Sequence, residues 1–294
     1  MRTYRIPVDG DVELGVDRWD PARDDRPERG VDGADRPTFL LVHGLASNAR
    51  LWDGVAVRLS DLAYPVVTVD LRGHGRSSKP EHGYDVPRVA DDLAAVIEGL
   101  GLDRPIVAGQ SWGGNVVLEL AVRRPDACRG IVCVDGGWLE PSTIFPDWEA
   151  CRTALAPPRL VGRPLTEIEG YLRASHPDWP EPGIRGALAN FEVRPDDTIA
   201  PWLTYDHHIE VLRGLWEDHP SERFGAIRVP VLLVPADTGE ADRTGRKRQE
   251  VAAAERAIGR SRAHWFVGDH DIHAQHPDEL ADVFDACVRD GFFS

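Results

Sequence analysis

The feature that most constrains the fold is a repeated alternation between short apolar runs and longer stretches with helical spacing. The runs "PTFLLVHG" (37–44), "PVVTVD" (65–70), "PIVA" (105–108) and "GIVCVD" (130–135) have strand length and little polar alternation. That is the mark of strands buried on both faces. Between them, residues 49–60 and 87–100 carry helical patterns, the second with Val89, Leu93, Val96, Ile97 and Leu100 on one side. Strands alternating with helices predict an α/β fold, a mainly parallel sheet with right-handed crossovers and helices on both faces. Residues 3–8 and 12–19 alternate as exposed strands ahead of it, and the polar stretch 20–36 reads as a surface connection. From 137 to 223 the rhythm stops. This part holds Trp138, Trp148, Trp179, Trp202 and Trp216, many prolines and short helical patterns such as 164–174. The runs 228–237 and 263–269 resume the pattern around a helix near 246–258, and Pro277 opens a last helix to about 289. The reading is therefore a core of 1–136 and 224–294 with 137–223 inserted as a lid.

Within "VAGQSWGGNV" (107–116), Gly109, Ser111 and Gly113 complete G-x-S-x-G where a strand gives way to a helix. A sharp elbow there forces its middle residue into strained backbone, and the flanking glycines remove side chains that would clash. The serine hydroxyl then stands clear of the sheet. A bare hydroxyl is a weak nucleophile, so this reading requires a base elsewhere in the chain.

Composition narrows the partners. With 49 acidic and 34 basic residues the formal charge is −15, which repels nucleic acid and anionic membrane surfaces. Cys128, Cys133, Cys151 and Cys287 follow no metal-ligand spacing and read as reduced, mostly buried thiols. The start of the chain lacks the apolar run of a signal peptide, so a cytoplasmic protein is expected. The triplet His270, His273, His276 invites a metal reading, but loop placement without a spaced carboxylate or cysteine set argues against it. No cofactor is called for. The sequence leaves the oligomeric state open.

Taken in order, His43-Gly44, "DLRGHGRSS" (70–78), the elbow at 109–113 and a late histidine ahead of His276-Pro277 make the chain resemble α/β-hydrolases with a cap domain. The resemblance implies an eight-stranded, mostly parallel sheet, the elbow after strand five and a helical cap after strand six. It implies Ser111 as nucleophile and His270 as base, with His273 as the alternative because it too precedes Pro277. It places the oxyanion donors on the backbone N–H groups of Leu45 and Trp112. The family's usual acid after strand seven is missing: "PADTGEAD" has Gly239 at that position. Some members carry the acid at the tip of strand six, where Asp135 stands, so Asp135 is the expected acid and Asp237 the alternative. His43, Gly44, Trp138, Trp148 and Trp202 are the expected pocket residues. The implied activity is a serine hydrolase that cleaves a carboxylic ester or lactone of a hydrophobic small molecule through an acyl-enzyme. A carbon–carbon bond hydrolase, a cofactor-free haloperoxidase and a non-catalytic small-molecule receptor are the alternatives.

Overall fold

The computed structural model describes residues 1–21 and 36–294; most of the connection expected at 20–36 lies outside them. Strands β1 (Arg2–Asp9) and β2 (Val12–Trp19) form an antiparallel hairpin. The central strands are β3 (Phe39–Val42), β4 (Val66–Val69), β5 (Ile106–Gln110) and β6 (Gly130–Val134). The insert contributes β7 (Phe191–Val193) and β8 (Ile199–Pro201), and the C-terminal part β9 (Val231–Val234), β10 (Ala236–Asp237), β11 (Ser261–Ala263) and β12 (Phe266–Val267). Eight strands make one sheet in the order β1-β2-β4-β3-β5-β6-β9-β11, parallel from β4 to β11.

Strand alternation explains the layers. Leu40 and Val42 face one way and pack with helices α2 (Val86–Gly99) and α3 (Trp112–Arg123). Phe39 and Leu41 face the other way, toward α1 (Asp53–Asp61) and the C-terminal helix Pro277–Arg289. Both strand faces are thus buried, as the continuous apolar runs require. The hairpin is less exposed than its alternation suggests, because Leu14, Gly15, Val16 and Asp17 of β2 are buried against β4.

Residues 137–223 hold α4 (Trp148–Leu155), α5 (Leu165–Ser175), α6 (Glu181–Leu188) and α7 (Tyr205–Trp216), together with the β7–β8 hairpin that a purely helical lid would lack. This part packs on the core through Leu51, Trp179, Ile184, Ala187 and Ala274. The two late apolar runs are each broken in two. Pro235 separates β9 from β10, and β10 pairs with β12 as a small parallel ladder beyond the main sheet. A proline cannot donate to the ladder, so the strand shifts partners there. That shift carries the chain out to the loop holding His270. Helix α8 (Ala241–Ala257) begins earlier than its apolar pattern indicates, and α9 (Ile272–Gln275) and α10 (Pro277–Arg289) complete the chain. Among the described residues no helix is long and apolar enough to cross a membrane.

Candidate active site

Ser111 joins β5 to α3 with φ 53° and ψ −124°. Its surroundings explain the glycines: a Cβ at Gly109 would strike the Gly113 carbonyl, and one at Gly113 the His43 carbonyl. Six non-glycine residues among those described have positive φ, and three of them, Ala46, Ser111 and Asp135, lie around this site. Such conformations cost of order 1–3 kcal/mol each, and they cluster where function holds them.

Asp135 follows β6 with φ 42°. Its Oδ2 is 2.7 Å from His270 Nδ1, and its Oδ1 accepts from the Ala236 N–H at 2.9 Å and from Lys247 Nζ at 2.6 Å. The carboxylate is therefore fully engaged, and His270 Nδ1 carries the shared proton, leaving Nε2 as the lone-pair nitrogen. Burial opposes ionisation of Asp135, yet the His270 hydrogen bond, the charges of His270 and Lys247 and the Ala236 N–H hold its carboxyl below the ordinary value. Burial likewise works against protonation of His270, but its bond to Asp135 and the charges of Asp271 and Asp135 raise its pKa above 6.5. The His270 carbonyl accepts from the side-chain amide of Gln110 at 3.2 Å, which fastens this loop to the residue preceding Ser111.

The alternatives stand elsewhere. Asp237 Oδ1 accepts from the Gly239 N–H at 3.0 Å and the Thr244 hydroxyl at 2.9 Å, and its Oδ2 pairs with Arg248. It braces the head of α8 and, among the described residues, makes no hydrogen bond to a histidine. His273 is fully buried against the Trp52 ring at 4.4 Å, neither ring nitrogen has a partner among the described residues, and burial pushes its pKa down to about 3.

His43 is fully buried and lines neither of the two cavities described below. Its Nδ1 bonds the Gly44 carbonyl at 2.7 Å and its Nε2 accepts from the Leu71 N–H at 2.9 Å. His74 repeats the pattern, Nδ1 on the Arg72 carbonyl and Nε2 accepting from the Ala46 N–H at 3.3 Å. Burial keeps both imidazoles less basic than usual, so they stay neutral and can accept. Together they clamp residues 43–46 to residues 71–74. The loop so held carries the Leu45 N–H, and α3 begins with the Trp112 N–H at its positive end. Neither N–H has a hydrogen-bond partner among the described residues. Gly44 leaves room over Ser111: a Cβ there would lie 3.0 Å from Ser111 Cβ.

Of the three tryptophans expected in the pocket, Trp138 lines a cleft of about 620 Å³ that also touches Asp135, Lys247 and His270. Trp202 lines a second cavity of about 560 Å³ between the loop after β3 and the insert. Trp148 lines neither; it packs against Trp216 at 6.2 Å under Arg213. Lys247 is the site residue that sequence reasoning missed. The available signal was composition: it is one of only two lysines in an arginine-rich chain. Its compact ammonium donates at once to Asp135 Oδ1 and to the Ala236 carbonyl, 2.7 Å away, a geometry unlike the planar fork of arginine.

The family model described as "alpha/beta hydrolase fold" matches residues 37–157. The crystal structure of E-2-(acetamidomethylene)succinate hydrolase superposes with a TM-score of 0.73 over 98% of both chains at 22% identity. The chain has the α/β-hydrolase fold. The sequence of 2-(acetamidomethylene)succinate hydrolase from Mesorhizobium japonicum is 29% identical over 205 residues, 69% of this chain and 72% of that protein. Haloalkane dehalogenase 2 from Mycobacterium bovis is 33% identical over 129 residues, 44% of each chain. The relatives and the fold together indicate a hydrolase enzyme.

Proposed function

We propose that this protein is a serine acyl hydrolase acting on a carboxylic ester or lactone of a hydrophobic small molecule. Ser111 attacks the acyl carbon while His270 Nε2 takes the hydroxyl proton. The oxyanion is received by the N–H groups of Leu45 and Trp112, each worth on the order of 10²–10³ in turnover. Collapse of the tetrahedral intermediate returns the proton from His270 to the departing alkoxide, leaving an acyl-serine. Water, deprotonated by the same imidazole, then releases the acid and regenerates Ser111. Asp135 stays ionised throughout and stabilises the imidazolium.

The observation that carries the reading is the 2.7 Å bond between His270 Nδ1 and Asp135, which leaves Nε2 free to accept a proton. Serine at the elbow favours acyl transfer over attack on carbon–halogen or epoxide carbon. The name of the Mesorhizobium relative indicates that an acyl–nitrogen bond also belongs in the substrate panel. A fluorophosphonate probe tests the nucleophile: labelling of wild type and not of Ser111→Ala is expected, and absence of labelling in both would sink the proposal in favour of a binding receptor. p-Nitrophenyl esters of graded chain length, lactones and N-acyl compounds then define the bond cleaved.

A further inference from the structure

The cavity between the loop after β3 and the insert has a wall unlike the rest of the protein. Acidic residues outnumber basic ones 49 to 34 over the chain, yet this cavity of about 560 Å³ is lined by two arginines, Arg159 and Arg194, and by no carboxylate. Among the described residues neither guanidinium is in an ion pair, although other arginines of the insert, such as Arg163, Arg173 and Arg213, pair with glutamates. The Arg159 guanidinium lies 4.3 Å over the Tyr205 ring, which fixes its position without neutralising it. Two like charges facing one cavity repel each other, and an anion between them relieves that repulsion.

The remaining wall is mostly apolar, with Trp202 and several prolines. Two polar atoms of wall residues, Ser47 Oγ and His208 Nε2, are buried without hydrogen-bond partners among the described residues. Burial lowers the His208 pKa to about 4, so its ring is neutral. A buried polar group without a partner calls for one. A hydroxyl that can turn and a neutral imidazole nitrogen thus stand beside the two cations.

We propose that this cavity is a carboxylate-binding site, in which Arg159 and Arg194 hold the anionic group of a small apolar acid and Trp202 packs on its body. Guanidinium and carboxylate match in shape and pair through two parallel bonds. The cavity starts at Ala46, one residue beyond Leu45, so an acid held there borders the candidate oxyanion loop. The proposal concerns binding and requires no catalytic step.

Calorimetric titration with 4-phenylbutyrate and with its neutral isostere 4-phenylbutyramide tests it. The acid is expected to bind at least roughly tenfold more tightly, the range of a charge-assisted hydrogen bond. R159Q/R194Q should abolish that preference while holding the amide affinity within about twofold, and each single substitution should lower it in part. Raising salt from about 0.05 to about 0.5 M should weaken the acid and not the amide. Equal affinity for the two probes, no binding of the acid, or a preference that survives both substitutions would overturn it. Ser111→Ala should bind the acid as wild type does, so failed probe labelling removes the acyl-transfer reading alone.

Discussion

His273 pays for its position with an unsatisfied ring in a closed pocket beside Trp52. In the unfolded chain it protonates near 6.5, whereas in the fold it resists down to about 3. A folded pKa below the unfolded one removes stability as pH falls through 6.5, by about 2 kcal/mol at pH 5. His273→Leu should therefore gain on wild type by about that amount between pH 7 and pH 5 in urea titrations, with ester turnover retained. His270→Ala should instead silence turnover while the chain still unfolds in a single cooperative transition in urea. The same logic separates the two acids. Asp135→Asn is expected to lower kcat by several orders of magnitude, as loss of the tautomer-fixing carboxylate does elsewhere, while Asp237→Asn affects only the head of α8. Equal losses in stopped-flow assays of the two variants would contradict the assignment. The geometry at these residues was partly legible. The spacing to Pro277 and the gap at Gly239 point to His270 and Asp135, but His43 looks like a pocket residue until its two backbone bonds are seen.

At the level of elements, α8 does more than cover the sheet. It delivers Lys247 to the far oxygen of Asp135, so the acid is held by strand β6, by the Ala236 amide after β9 and by a helix at once. Lys247 opposes protonation of His270, against Asp135 and Asp271, which favour it. Lys247→Met should lower kcat/KM by roughly 10–100-fold, in line with lost support of a site ligand. It should also move the acid limb of the pH–rate profile to higher pH, because the imidazole must shed its proton before it can act. Lys247→Arg restores charge without the compact geometry, and should recover the limb more than the rate. A profile that does not shift would show Lys247 to be packing alone. The alternation of strands and helices was plain in the sequence because buried parallel strands leave continuous apolar runs. The break at Pro235 and the early start of α8 were not, since that helix has few apolar residues to mark its period.

Across the whole molecule, the insert and core meet at the loop that holds His270. Trp179 Nε1 donates to Asp269 at 2.8 Å and His176 Nδ1 lies 3.3 Å from the same carboxylate, one residue before His270. Trp179→Phe keeps an aromatic ring in the cluster and removes the donor, so it should lower kcat severalfold with the fold intact by circular dichroism. Such contacts join residues some 90 positions apart and leave no periodic trace, which is why the sequence marks the insert only as an interruption.

The four cysteines are distributed so as to report on this architecture. All are buried: Cys128 and Cys133 beside and within the sheet, Cys151 in α4 of the insert, Cys287 in the terminal helix. Burial drives the thiols of Cys128 and Cys133 up to about 12, so the native chain resists alkylation on two counts, access and ionisation. Each sulfur thus becomes a clock for the opening of its own neighbourhood. Timed alkylation followed by peptide mass mapping would order the insert, the sheet and the last helix by how readily each one unlocks.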